Sequence, residues 1–289
     1  MSKIVIAVGQ GAPELSASNR AYAAALEAGG VEVLTLQWNT QPRVLFLGAD
    51  AVVMRQTWDY QDDPGGFAAW AVGLEAAGAR LMNPAAAAIW NNDKRTLLDL
   101  GEAGAEIPPT ADLTLLGPED AATAVGGEAF VIKPAFGGSG VGVTRTDRAG
   151  LAEAAQAAAR ALPGRPLMLQ AFLPEIAEGE WSLCFIGGAF SHAVRSVPAA
   201  GEFRVNSRLG GTRAAAEAPA AARRSAEALL RRVPWPLLYA RVDGVMREGG
   251  FVITELELTD PELFLHLAPG AAERLAEATM RGAAMTEMA

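Results

Sequence analysis

Apolar residues in the first ninety positions fall into short runs separated by Ala-rich stretches and glycine stops. Residues 3–8 read as a buried strand, 19–28 as an Ala-rich helix with Ser18 as N-cap and Gly29-Gly30 as its stop, and 31–37 as a second strand. A third strand at 50–54, a helix at 67–77 stopped by Gly78, and a short strand at 80–82 continue the alternation. Strand–helix–strand repetition of this kind predicts a parallel, doubly wound unit ending near Trp90.

A helix is expected from 91 to 100, closed by Gly101 and Gly104, which puts Lys94 in its first turn. The helix macrodipole favours anions there, so Lys94 calls for a negative partner, and a phosphate is one. From Pro108-Pro109 the pattern shortens to a brief helix at 119–124, a strand from Phe130, a helix at 148–161 and a buried strand at 167–171. The last third reads as antiparallel. Gly187-Gly188 joins strands 181–186 and 189–194, a helix covers 219–232, a second hairpin joins 237–246 to 251–258, and a C-terminal helix spans 263–280. The fold class is therefore α/β, α+β overall, in three units: 1–91, 92–170 and 171–289.

Composition narrows the function classes. The chain has 289 residues, 51% of them hydrophobic and 20% charged, which is globular and long enough for about two domains. Thirty-three acidic against 24 basic residues, net −9, leave no basic footprint for nucleic acid. The single cysteine, Cys184, excludes a disulfide within the chain and a multi-cysteine metal site, and its apolar surroundings read as a buried thiol. No stretch approaches the roughly 18 apolar residues of a membrane helix, and the apolar run after Met1 is too short for a signal segment. The expectation is a cytoplasmic protein with no membrane and no nucleic-acid partner.

The chemistry concentrates in residues 130–143, F-V-I-K-P-A-F-G-G-S-G-V-G-V. Gly137, Gly138, Ser139 and Gly140 allow backbone N–H groups to converge on an anion, and Lys133 adds a charge beside them. Alternation from Val141 onward predicts a returning strand, so the loop is the tip of a hairpin over a nucleotide, with a plain glycine-rich turn as the alternative. In the second C-terminal hairpin, strand alternation puts Arg241 and Asp243 on one face and Glu255 and Glu257 on one face. Folding about residues 247–250 sets Asp243 nearly opposite Glu255. Facing carboxylates need a cation, and Mg²⁺ suits them; a solvated charged face is the alternative. Arg195, Arg204, Asn206, Arg208 and Gly211 form an arginine- and glycine-rich loop suited to phosphoryl charge or a substrate carboxylate, or simply a surface loop. Arg55 and Asp59, just past the third strand, sit where such sheets bind ligands; pairing with each other is the structural alternative.

In order, Lys94, V-I-K-P-x-x-G-G-S-G-x-G-V, L-x-Q-x-F-L with Gly179-Glu180, G-E-F-R-x-N…G-G, and R-x-D twelve residues before E-x-E resemble the ATP-grasp superfamily of carboxylate–amine ligases. The resemblance is nearest to the ribosomal-modification and glutathione-synthetase-like members. Trp58-Asp59-Tyr60, Trp90-Asn91 and L-E-L-x-x-P-E-L-F from Leu256 are similar to the small ligases that include the cycloserine-pathway cyclo-ligase. It implies a doubly wound pre-ATP-grasp domain followed by a two-lobed ATP-grasp fold. It also implies ATP with Mg²⁺, or Mn²⁺ in its place, small-molecule carboxylate and amine substrates, and allows a homodimer.

Carried over by motif, Lys94 and Lys133 contact phosphates under the glycine lid. Gln170, Phe172 and Leu173 belong to the hinge that reads adenine, and Glu180 holds the ribose. Asp243, Glu255 and Glu257 bind the metal, while Arg204 and Arg241 steady the transferring phosphate. Glu257 departs from the asparagine of many members. Thr259-Asp260-Pro261-Glu262 replaces their Ser-Pro or Pro-Gly, so substrate contacts in that loop are not carried over. Expected activities are ligation through an acyl phosphate, an intramolecular ring closure by the same chemistry, or a non-catalytic ATP sensor.

Overall fold

The computed structural model describes residues 2–11, 14–138, 140–205 and 209–284. Strands β1 (Lys3–Val8), β2 (Glu32–Gln37), β3 (Ala51–Gln56) and β4 (Leu81–Met82) form a parallel sheet in the order β2-β1-β3-β4. Alternation sends Ile4, Ile6 and Val8 of β1 into one core and Val5 and Ala7 into another, so the strand is apolar throughout because both faces are covered. The first helix, Ala17–Ala28, is capped by Ser16, whose hydroxyl accepts from the Asn19 N–H. This corrects the expected Ser18 cap: Ser16 stands three residues before the N–H it satisfies, and Ser18 is buried, accepting from the Leu265 N–H instead.

The middle sheet is antiparallel: β5 (Thr110–Asp112), β6 (Ala129–Pro134), β7 (Thr144–Asp147) and β8 (Leu167–Ala171), in the order β5-β8-β6-β7. Phe130 and Ile132 pack beneath helices Pro118–Val125 and Leu151–Ala161, which leaves Val131, Lys133 and Gln170 on the open face. The returning strand starts at Thr144, later than expected, because Gly140 and Gly142 take φ of +72° and +74° and prolong the turn. The helix expected at 91–100 is divided into Ala85–Asn92 and Thr96–Glu102. Lys94 lies in the break between them, its N–H bonded to the Ala135 carbonyl, so a first-turn dipole has no part in its environment.

The third sheet holds β9 (Glu180–Ile186), β10 (Ala189–Val197), β11 (Thr212–Ala216), β12 (Tyr239–Arg247) and β13 (Gly250–Glu257), in the order β11-β10-β9-β12-β13. Both expected hairpins are present, with φ of +58° and +79° at Gly187-Gly188 and +48° and +81° at Glu248-Gly249. One face, with Leu183, Phe185, Ala240, Val242 and Leu256, packs on helix Ala220–Leu230. On the other face, Cys184, Ile186 and Tyr239 join the core of the N-terminal sheet, while Glu180, Ser182, Arg241, Asp243 and Val245 line a cavity.

The C-terminal helix is Ala271–Ala284, not 263–280, because Pro269 and Gly270 (φ +73°) break the chain before it. It packs on the first helix, where the Tyr22 and Thr279 hydroxyls lie 2.7 Å apart. Among the described residues no helix is long and apolar enough to cross a membrane.

Candidate active site

The charged face of the third sheet, the open face of the middle sheet and the tips of the N-terminal sheet enclose one cavity of about 480 Å³, a size typical of small-molecule sites. Its most acidic corner lies on the β12–β13 hairpin. Asp243 pairs with Glu255 and Arg241 with Glu257 in the ladder. Counted from the Arg247–Gly250 pair, a regular ladder would set Asp243 against Thr254; a β-bulge leaves Thr254 unpaired and brings both glutamates to the Asp243 face. Gly244, at the bulge, has no room for a side chain, since a Cβ would meet the Phe251 ring at 2.6 Å.

Carboxylate oxygens of Asp243, Glu255 and Glu257 lie within 4.8 Å of one another. Two oxygens bound at about 2.1 Å to one Mg²⁺ stand roughly 3–4 Å apart, so hard oxygen donors at this spacing fit that cation. The chain supplies counter-charges of its own. Arg241 bonds Asp243 at 2.9 Å and Glu257 at 2.7 Å, and Lys94 pairs with Glu255. Burial disfavours the Arg241 charge, but Asp243 and Glu257 outweigh it and hold the guanidinium above its usual range. For Lys94 burial wins and lowers the ammonium.

Lys133 projects from β6 into the same cavity, its Nζ 3.2 Å from Gln170 Oε1 and 3.5 Å from the carbonyl of the bulged Thr254. Burial, reinforced by Lys94, pushes it down to about 7. Glu180 accepts the Thr254 hydroxyl at 3.0 Å, and burial together with Asp243 pushes its carboxyl up to about 7. Gly137, Gly138, Gly140, Phe172 and Leu173 line the cavity beside them. The 3-10 turn Trp58–Gln61 reaches the glycine loop, where a Cβ on Gly138 would lie 2.6 Å from Gln61 Nε2. Arg204 also lines the cavity, held by Glu202 at 2.8 Å.

Other expected contacts stand outside the lining. Arg55 is buried at 1% exposure, donating to Asn19 Oδ1 and the Pro261 carbonyl and lying 4.9 Å from the centre of the Tyr239 ring; it is a structural clamp and does not pair with Asp59. Asp59 accepts from Trp38 Nε1, Asn39 Nδ2 and the Gln10 N–H, which consumes its oxygens in holding neighbouring loops. Arg195 points to solvent and bonds the Glu178 carbonyl, and Gly211 lies away from the lining. Ser139, Asn206 and Arg208 lie outside the described residues.

The sequence reading missed three charged lining residues, Asp260, Arg213 and Glu262, the last accepting from the Phe264 N–H at 2.8 Å. Asp260 is 7% exposed, accepts the Thr57 hydroxyl at 2.9 Å, and is pushed up to about 7 by burial, with Glu257 adding to the shift. Arg213, lowered by burial, sits 5.0 Å from the centre of the Phe264 ring, its Nε buried with no partner among the described residues. The one available signal was position: Asp260 follows E-L-E-L-T, and Arg213 follows Gly210-Gly211-Thr212.

Known proteins resemble this chain in sequence and fold. Residues 4–83 match the family model of the N-terminal domain of D-cycloserine synthetase DcsG, and 121–243 match that of the prokaryotic glutathione synthetase ATP-grasp domain. A probable alpha-L-glutamate ligase of Xanthomonas campestris pv. campestris is 32% identical over 197 residues, 64% of this chain and 64% of the relative, so the match spans less than two thirds of that protein. The crystal structure of D-cycloserine synthetase DcsG superposes with a TM-score of 0.85 and 25% identity, over 98% of this chain and 100% of that one. D-alanine–D-alanine ligase from Bacillus anthracis shares the fold, at a TM-score of 0.74 and 15% identity over 99% and 98% of the two chains.

Proposed function

From the premise that the chain belongs to the ATP-grasp ligases, we propose that it is an ATP-dependent ligase joining a small carboxylate to an amine. The carrying observation is that an oxygen-donor triad, two lysines and a glycine loop line one cavity. A carboxylate does not condense with an amine unaided, since its oxygen is a poor leaving group. Attack of the carboxylate on the γ-phosphorus of ATP releases ADP and forms an acyl phosphate. The amine nitrogen then attacks the carbonyl carbon, loses a proton, and phosphate departs.

In this reading Asp243, Glu255 and Glu257 hold Mg²⁺, which supplies charge neutralisation at the phosphate oxygens. Lys94 and Lys133 bind the phosphates, and Gly137, Gly138 and Gly140 beside them shield the acyl phosphate from water. Gln170, Phe172 and Leu173 line the adenine end, and Glu180 holds the ribose. Arg204 and Arg241 meet the charge that grows on the transferring group, so positioning and electrostatics carry the catalysis. Residues 1–91, 92–170 and 171–289 would then divide the work among substrate entry, lid and metal site.

A second reading, in which carboxylate and nucleophile belong to one molecule, is favoured by the full-length likeness to D-cycloserine synthetase. Release of ADP and phosphate with Mg²⁺, ATP and a panel of amino acids and short peptides tests both. One compound should stimulate turnover, Glu255→Ala should abolish it, and the product mass separates intermolecular from intramolecular closure. ATP binding without stimulated turnover by any carboxylate would point instead to a sensor.

A further inference from the structure

Lys94 owes its place to a break in the chain. Helix Ala85–Asn92 stops where Asp93 turns extended, with φ −92° and ψ 108°, and the next helix starts only at Thr96. Between the two helices Lys94 is held at both ends. Its N–H bonds the Ala135 carbonyl at 2.9 Å, two residues past Lys133 and just beyond β6, while its ammonium pairs with Glu255 on the third sheet. A lysine is a point charge on a flexible four-carbon stem, so where that charge stands depends on how firmly the backbone beneath it is fixed.

Arg95 supplies the fixing. Its Nε lies 3.0 Å from each carboxylate oxygen of Asp93 and its Nη2 lies 2.6 Å from Oδ2, while Asp93 Oδ1 also accepts the Arg95 N–H at 3.0 Å and closes the turn. The remaining arm, Nη1, reaches Asp112 Oδ2 at 3.2 Å, at the end of β5. Asp112 is itself anchored, since its other oxygen caps the short helix Leu113–Leu116 through the Leu115 N–H at 2.9 Å. The planar guanidinium fork matches two carboxylates in this way, as an ammonium does not. Partly exposed ion pairs of this kind add little to stability. Asp93, Arg95 and Asp112 also stand outside the cavity lining. What the cluster provides is a second tie, beside that of the Lys94 N–H, between the break and the middle sheet.

Resting on the ligase reading, in which Lys94 and Lys133 bind the phosphates, we propose that Arg95 is a positioning residue for Lys94. Clamped by Asp93 and Asp112, it locks the break to the middle sheet and so sets the separation of the two lysines that a polyphosphate must bridge. Both ammonium groups then move with one sheet, and a misplacement of about 1 Å in either is enough to cost tenfold or more.

The test uses the full chain in wild-type form and as Arg95→Met, Arg95→Lys, Asp112→Asn, Lys94→Met and the double variant Lys94→Met/Arg95→Met. Calorimetric titration gives the affinity for three probes: Mg–ATP, Mg–tripolyphosphate, which lacks the base, and adenosine, which lacks the phosphates. Arg95→Met should weaken Mg–ATP and Mg–tripolyphosphate alike, by about tenfold, and leave adenosine within about twofold, which also reports that the variant is folded. Arg95→Lys should recover only part of the loss, because it keeps the charge without the fork. Asp112→Asn, whose amide oxygen still caps the helix, should show a smaller loss in the same two probes.

In the Lys94→Met background Arg95→Met should cost nothing further, since the residue it positions is gone. Unchanged Mg–ATP affinity in Arg95→Met overturns the inference. So does an equal loss in both backgrounds, or a parallel loss of adenosine, either of which makes Arg95 a general support of the fold. If Arg95→Met does not fold, the comparison between backgrounds is made with Asp112→Asn and decides in the same way. Failure of wild type to bind Mg–ATP removes the ligase reading on which the inference stands.

Discussion

Binding of ATP should draw a proton into the cavity at Lys133. Burial and the neighbouring Lys94 hold this amine near 7 in the empty protein, so near pH 8, one unit higher, about nine-tenths of the molecules carry it neutral. A triphosphate beside Nζ favours the ammonium and restores it, for an uptake of about 0.9 proton per ATP at that residue. Above the empty-state value each further pH unit then weakens ATP binding by about tenfold through Lys133 alone. Calorimetric titration near pH 8 in two buffers of different ionisation heat gives the proton count directly.

Lys133→Met serves as reference, because ionisation of ATP itself is common to both proteins and cancels. Near pH 6 the difference should vanish, since the amine is already charged. Equal proton counts for wild type and Lys133→Met near pH 8 would refute the reasoning. The same shift fixes a stability trend: from about pH 7 to 10.5 the unfolded chain keeps a proton that the fold has lost. Lys133's contribution to stability is thus full above 10.5 and declines as pH falls toward 7.

Two further outcomes follow from the geometry. Tyr239→Phe removes the hydroxyl lying 2.5 Å from the Met54 carbonyl and 2.8 Å from that of Thr259, and should lower unfolding free energy by about 1–3 kcal/mol in denaturant titration. Deleting Thr254 should leave Asp243 opposite Glu255, yet remove the carbonyl and hydroxyl that meet Lys133 and Glu180. Divalent-ion binding should therefore persist while ATP affinity drops by about tenfold or more, measured by separate titrations.

What could be read from the chain was what depends on local periodicity. Parallel strands β1 to β3, the two hairpins and the shared face of Arg241 and Asp243 all follow from alternation and turn residues. The Asp243–Glu255 pairing was anticipated, but the bulge that produces it was not, because an unpaired Thr254 leaves no mark in the pattern. Lys94 was placed in a helix because nothing in N-N-D-K announces the break at 93–95.

The substrate end was least legible. Thr57 and Asp260 are 203 positions apart, and Arg55 and Pro261 are 206 apart, so only the assembled fold shows that Arg55 is a clamp and Asp260 a lining charge. The lysine, glycine-loop and carboxylate segments, separated in the sequence, line one cavity.

The packing of Ala271–Ala284 on Ala17–Ala28 bears on how the chain is made. Ile4, Ile6, Ala51 and Val53 share a core with Ala271, Leu275, Ala276 and Ala283, so this face of the N-terminal sheet is covered by a helix made long after it, with Thr279 standing 257 positions beyond Tyr22. Until then Tyr22 lacks Thr279, and the sheet presents an apolar face to the nascent chain's surroundings. A ribosome stalled within the third sheet would thus carry a folded middle sheet beside an unfinished first one, and chaperone occupancy should persist until residues 271–284 have emerged.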